Sequence, residues 1–337
     1  MGKEKTKKEK AKKVLQIVGS LFLSFFIFYL VYKDQDPTVI REELKQCNLF
    51  WILISIILGA LSHFVRALRW NQLIEPLGKS PKVSSSYIAV MIGYFANYLI
   101  PRAGEMARCG VLKKTDGISF STLLGTVIAE RFFDLIVLLL FVGAAIFSQL
   151  DLFTQVFASG TFVGDSLLKL VTNPFLWIAF GVVVLLIFLF RERILNSTFF
   201  KKIVEMLRNI ADGIKTFFKV KNKPLFILYT LIIWVFYFNM TYLSFKAFEF
   251  TQELTVSVGL STFAIGSMGI VAPVQGGIGA WHFLTSECLK FYGIEEGQAL
   301  TFAFVVHLAQ TLMILVIGAI CFLSFSILQN KNKKREP

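Results

Sequence analysis

Three charges lie together inside a long apolar stretch, Ser119 to Phe147: Glu130, Arg131 and Asp134. A charged side chain at the centre of a membrane helix costs at least about 2.5–3.5 kcal/mol, so such a group is retained for a purpose. Glu130 and Asp134 are spaced i, i+4 and share a helix face, and Arg131, at i, i+3 from Asp134, can pair with it. Three uses fit that spacing. The trio is a structural ion pair holding its helix to neighbours, or Arg131 faces a cavity and holds an anionic headgroup, or one carboxylate is a general base.

Two further stretches echo each other, Pro101-Arg102-Ala103-Gly104-Glu105 and Pro273-Val274-Gln275-Gly276-Gly277-Ile278-Gly279. In the first, Arg102 is a ligand candidate, Glu105 can pair with Arg102 or Arg108, and Arg108 reads as an interfacial anchor. In the second, Gly276, Gly277 and Gly279 lead into a helix at about Ala280. Bare N–H groups at such a helix start suit a phosphate or carboxylate; the other reading is a tight, closely packed turn. His63, Arg66 and Arg69 form a basic stripe at the end of a span and read as interfacial anchors. His282 and His307 read as packing or hydrogen-bonding residues, because no His-rich or carboxylate-rich set accompanies them. The four cysteines, Cys47, Cys109, Cys288 and Cys321, have neither CxxC nor Cys/His spacing and read as unpaired thiols. Ser/His/Asp order, P-loop spacing and a dinucleotide glycine pattern are absent, so no catalytic residue, cofactor or metal is expected.

These residues are carried by a strongly apolar chain. Of 337 residues 55% are hydrophobic, 36 are Phe and only 22 are acidic, more apolar surface than a soluble domain of this size can hide. The fold class expected is all-α: a polytopic membrane protein built as an inverted-repeat helical bundle with two re-entrant broken-helix hairpins. The net charge of +13 does not point to nucleic acid, since the cations sit in loops and tails beside apolar helices. In order, the reading is a basic cytoplasmic tail over 1–13 and a membrane domain over 14–328, ending in a basic tail over 329–337. The domain opens with an uncleaved first span, Val14 to Tyr32, then a mixed, acidic loop over 33–48. Spans follow at Leu49–Trp70, Ser119–Phe147, Asn173–Phe190, Leu225–Phe245 and Gln298–Leu328. Hairpins occupy about 84–112 and 256–290, and an amphipathic helix lies at about 191–222 on the membrane surface. The apolar arms before Pro101 and Pro273 are about 15 residues long, short of the roughly 20 that a crossing needs. Backbone broken there must be buried in protein or face a watery cavity.

Orientation follows from the cations. Of 35 Lys and Arg, 28 fall in four segments, 1–13, 66–118, 191–223 and the C-terminal tail. Those segments are expected on the cytoplasmic side of the plasma or inner membrane, with both termini inside. The halves at about 49–147 and 225–327 then share one order of elements in opposite orientations. Pro101 aligns with Pro273, Gly104 with Gly276, Arg131 with His307 and Asp134 with Gln310. An inverted repeat with broken helices is a transporter architecture.

Asn97-Tyr-Leu-Ile-Pro101-Arg102-Ala-Gly104-Glu105-Met-Ala-Arg108, then Glu130-Arg131-Phe-Phe-Asp134, resembles the lysylphosphatidylglycerol synthase transmembrane, or flippase-like, family. The Pro273–Gly279 stretch and Gly293-Ile294 agree, and the resemblance spans about 15–327. It implies a membrane domain that moves an aminoacylated phospholipid between leaflets, beside a separate soluble domain that makes the lipid and has no counterpart in this sequence. The expected function is therefore a translocase for a phospholipid or a lipid-linked anionic or zwitterionic substrate, driven by a gradient or passive. Its partners would be that lipid and, by the resemblance, a lipid synthase or a second copy of the chain. A lipid-headgroup-modifying enzyme and a scaffold for a synthase are the alternatives.

Overall fold

A computed structural model describes residues 18, 19, 21–100, 103–149, 174, 217–269 and 274–333, the last four by backbone only. Pro101, Arg102, Pro273, the fourth span apart from Pro174, residues 191–216 of the amphipathic segment, the whole N-terminal tail and residues 334–337 lie outside the described residues. Among the described residues every regular element is helical. The protein is an all-α, polytopic membrane protein, with four helices among the described residues long and apolar enough to cross a bilayer.

Helix α1 covers Leu21–Tyr32 and α2 covers Pro37–Gln46. The acidic loop expected over 33–48 is thus largely a helix. Asp36 caps it, its carboxylate accepting from the Thr38 N–H at 2.8 Å, and Pro37 at the first position is preset for a helical turn. Helix α3, Leu49–Ile74, is capped by the Asn48 side chain and runs four residues past the expected Trp70. Its 26 residues reach about 39 Å, more than the hydrocarbon thickness. Helix α4, Val83–Leu99, and α5, Gly104–Asp116, are the arms of the first hairpin, and α6, Phe120–Ser148, starts at the Ser119 cap. Helix α7, Lys223–Tyr242, is capped by Asn222 and followed by a 3-10 turn to Ala247. Helix α8, Val256–Gly269, and α9, Ala280–Phe291, form the second hairpin, and α10, Glu296–Lys333, ends the described chain.

The hairpin arms have 17, 13, 14 and 12 residues, too short to cross unaided. Each arm instead packs on its partner arm and on a long helix. Helix α3 packs along α7. Helix α4 packs on α5 and α10, while α8 packs on α9 and α6; α5 lies on α6 and α9 on α10. Exchanging α3–α6 for α7–α10 maps this set of pairings onto itself. One apolar core, around Trp70, Met91 and Leu112, surrounds the first hairpin and reaches Cys321 of α10. Another, around Phe245, Leu289 and Phe302, surrounds the second. Side chains such as Leu135, Leu139 and Leu140 on α6 and Leu312, Val316 and Ile320 on α10 stay exposed, as a lipid-facing surface requires. All four cysteines are free and buried.

Candidate functional site

The carboxylates of α6 meet arginines from two other helices. Arg66 and Arg69 sit one turn apart on α3, and both guanidiniums reach across to Glu130 and Asp134. Arg66 Nη1 donates to Glu130 Oε1 and, at 2.8 Å, to Asp134 Oδ2. Arg69 Nη2 donates to Glu130 Oε1 at 3.2 Å and to Asp134 Oδ1 at 2.8 Å. Arg108 of α5 donates to Glu130 Oε2, and its guanidinium lies over the Trp70 ring, 4.1 Å from the centroid. Helix α7 completes the shell: Thr230 accepts from Arg69 at 3.2 Å and Tyr237 from Arg66 at 3.2 Å. Arg69 and Glu130 are fully buried. All four carboxylate oxygens are bonded, which is how ionised groups survive in a low-dielectric interior. Three cations and two anions are enclosed, so the cluster carries one uncompensated positive charge.

Arg131 lies outside this lock. Its Nε donates to Glu105 Oε1 of α5 at 3.0 Å, while Asp134 is farther, at 3.8 Å from Nη1. Both members of the Arg131–Glu105 pair are about two-fifths exposed, at 43% and 42%, although Arg131 stands three turns into a membrane-length helix. The expected Arg131–Asp134 pairing is therefore secondary. The reason is supply: Arg66 and Arg69 already saturate Asp134, and Glu105 faces Arg131 across the α5–α6 contact.

The sequence pattern alone makes the basic stripe of α3, and Arg108, interfacial anchors. The structure corrects both: Arg66, Arg69 and Arg108 are 2%, 0% and 4% exposed and supply the countercharge for α6. Two carboxylates on one buried face demanded cations from elsewhere, and the i, i+3 arginines at the end of α3 were the sequence signal for them. His63, on the same stripe, is buried against the Tyr94 ring at 4.3 Å between centroids.

The second group of residues is neutral. At the tip of the second hairpin Gly276 has φ +55, where a side chain is strained, and a Cβ there would overlap the Tyr98 ring of α4. The Gly276 carbonyl faces His307 Nε2 at 2.9 Å. His307 Nδ1 is 3.3 Å from Thr311 Oγ1, which is 3.1 Å from the Tyr98 hydroxyl. Gln310 donates to Ser55 of α3 at 2.7 Å, and Ser55 donates to the Met240 carbonyl of α7. The bare N–H expected at Gly279 is occupied: it donates to His282 Nδ1 at 3.1 Å. The Ile278 N–H likewise bonds to the Gln275 carbonyl.

The predicted residues thus fall into two groups. Glu105, Glu130, Arg131 and Asp134 gather where α3, α5 and α6 meet; Gly276, Gly277, Gly279 and His307 gather at the second hairpin tip, with Gln310 one turn on. Helix α4 lies between the groups. Tyr94 faces Tyr237 of the charged shell at 3.4 Å between hydroxyls, and Tyr98, one turn on, touches the second tip. Neither tyrosine was singled out in the sequence, where aromatic residues in an apolar run carry no distinguishing signal.

Short helical hairpins wedged between membrane-length helices, with a buried arginine–carboxylate lock beside an accessible charged pair, define a polytopic helical membrane protein with a polar interior. Residues 16–318 match the family model of the lysylphosphatidylglycerol synthase TM region, and the chain belongs to that family. It is similar to the UPF0104 membrane protein PH1989 of Pyrococcus horikoshii, 23% identical over 93% of this chain and 96% of that one. It is also similar to the UPF0104 membrane protein MJ1078 of Methanocaldococcus jannaschii, 27% identical over 68% of this chain and 93% of that protein. A partial match to the glycosyltransferase AglD of Haloferax volcanii, 25% identical, covers 44% of this chain and 25% of that protein. No solved structure matches the chain significantly.

Proposed function

We propose that this protein is a lipid translocase that carries a phospholipid or a lipid-linked anionic or zwitterionic substrate between leaflets. The observation that carries the reading is the accessible Arg131–Glu105 pair beside a buried cluster with one surplus positive charge. A cation whose one close carboxylate partner is itself partly exposed can exchange that partner for a headgroup phosphate. The cluster behind it raises the local positive potential without competing for the ligand. The family's name ties it to a lipid, which agrees with a lipid cargo. The exchange of helix pairings between halves supports an inverted repeat with re-entrant hairpins, the arrangement in which one half rocks against the other. Headgroup chemistry is less well supported, because Glu130 and Asp134 are spent on arginines and neither is free to act as a base.

The direct test is leaflet exchange of fluorescent phospholipids in liposomes containing the purified protein. Arg131→Gln should abolish exchange while leaving the melting temperature nearly unchanged, since a half-exposed pair is worth only about 0–1 kcal/mol. Arg131→Lys should retain part of the activity, keeping the charge without the bidentate fork. Absence of wild-type exchange across a broad lipid panel would overturn the reading. Orientation is tested separately by single cysteines in a cysteine-free variant. Those placed at Ser80, Asn209 and Asn332 should resist an impermeant reagent from outside, and those at Gln35 and Gln252 should react.

A further inference from the structure

The hydrogen bonds around the second hairpin tip fix the protons on its two histidines. His307 Nε2 faces the Gly276 carbonyl, which can only accept, so Nε2 carries the hydrogen. In the neutral ring Nδ1 is then bare and accepts from the Thr311 hydroxyl, whose oxygen in turn accepts from Tyr98. His282 is bound differently. Its Nδ1 accepts the Gly279 N–H at the start of α9, a bond that only an unprotonated nitrogen can make. The two rings lie 4.5 Å apart, so a positive charge on both is strongly disfavoured. A proton added here therefore goes to one place, His307 Nδ1, where Thr311 can turn and become the acceptor.

We infer that His307 is the proton-binding residue that couples transport to a proton gradient. The inference rests on the translocase reading above and names its coupling ion. The step is a shift along the Tyr98–Thr311–His307 chain. The Thr311 hydrogen moves to Nδ1, the Tyr98 hydrogen moves to Thr311 Oγ1, and the Tyr98 oxygen takes the incoming proton. The sum is one H⁺ gained by His307, with the Nε2–H bond to Gly276 kept. The groups that meet the pair are Tyr98 from α4, Thr311 from α10, Trp281 beside His282 on α9, Phe28 and Tyr32 from α1, and the Gly276 carbonyl. Among the described residues no carboxylate pairs with either ring, so the imidazolium would add an uncompensated charge to the polar interior. An anionic substrate offsets that charge. Proton and anion accordingly enter together, which makes the transport a symport. The location supports coupling, because the chain joins α4 of the first half to the hairpin tip of the second.

The chain has only three histidines, which makes the test direct. In wild-type protein labelled with ¹⁵N-histidine, imidazole signals are followed from about pH 8 to about pH 5 and assigned with His63→Asn, His282→Asn and His307→Gln. The His307 signals should pass from the Nε2–H form to imidazolium while His282 stays neutral; a His307 ring that keeps one neutral tautomer throughout overturns the inference. In liposomes with fluorescent phosphatidylglycerol, an imposed pH gradient should speed wild-type exchange severalfold over the undriven rate. Thr311→Val and His307→Gln should bring that ratio to one. Exchange that ignores the gradient in the wild type, or a ratio that survives in both variants, overturns the coupling and leaves the translocase reading standing. No exchange under either condition defeats the translocase reading, and with it the coupling.

Discussion

Two regions of this membrane protein, around α6 and around α10, are built with opposite chemistry. On α6, Glu130 and Asp134 belong to a buried network of fixed charges; on α10, His307 and Gln310 make neutral hydrogen bonds. The two hairpin glycines also differ: Gly104 is small because its own hairpin closes there. A Cβ would overlap the Gly93 carbonyl and the Asn97 side chain, which accepts the Gly104 N–H at 2.7 Å. Gly276 is small because Tyr98 from the other half lies against it. One helical hairpin thus stands beside a lock of charges, and the other rests on a neutral contact with α4. An ion network whose carboxylate oxygens are all bonded to buried arginines resists rearrangement, since separating any pair exposes charge to low dielectric. A few neutral hydrogen bonds, each worth about 0.5–1.5 kcal/mol net, can be exchanged during a conformational cycle.

The largest effect should come from breaking the lock. Glu130→Ala removes the carboxylate shared by Arg66, Arg69 and Arg108 and leaves buried guanidinium charge unmatched. A loss of about 3–5 kcal/mol is expected, read as a large fall in melting temperature in detergent. A cut among the neutral hydrogen bonds of α10, Gln310→Ala, removes one bond to Ser55 and should cost about 1 kcal/mol. Similar losses for the two variants would erase the distinction between lock and contact.

Next in size is Gly276→Ala. The left-handed backbone costs a side chain about 1–2 kcal/mol, and overlap with Tyr98 adds to it. The comparison sharpens in double variants. Adding Tyr98→Ala should relieve part of the Gly276→Ala defect, so that the pair is less destabilised than the sum of its singles. With Gly104→Ala the same addition should be additive to within about 0.5 kcal/mol, because Gly104 meets Gly93 and Asn97 instead. Additivity in both cycles would mean that the second tip does not rest on Tyr98.

Much of the fold was legible, for a physical reason. Long apolar runs can only be buried in lipid or protein, and Pro101, Gly104 and the Gly276–Gly279 stretch mark where helices break. The four membrane-length helices among the described residues came out within a few residues of four of the six expected spans. Helix α2 was missed because its composition is polar, although Asp36-Pro37 is a helix-start signal. The site was legible as a list of residues and less so as a set of pairings. Spacing along one helix relates Arg131 to Asp134, whereas the arginines that hold Asp134 come from α3, 65 to 68 residues away in sequence. Competition among cations for a carboxylate is settled by packing, which periodicity does not record.

The smallest expected effect contrasts Glu130 with a carboxylate that supports only its own turn. Asp36 is at the surface, and its bond with the Thr38 N–H holds its carboxyl below the usual carboxylate range. A group whose pKa is lower folded than unfolded stabilises the fold above its unfolded pKa, near 3.9, and loses that contribution as pH falls through the folded value. The cap should therefore remain intact at neutral pH and open only in acid below about pH 4, fraying α2 without disturbing the bundle. Titrating the Thr38 amide resonance would follow this bond directly, and its midpoint should lie below that of a model aspartate. Asp36→Asn, which can still cap through its side-chain oxygen, should keep α2 formed and remove the acid transition. A Thr38 midpoint at or above the model value would show that the side chain does not hold the helix start. A loss of global stability at that same midpoint would show that α2 is welded to the buried lock and not a local element beside it.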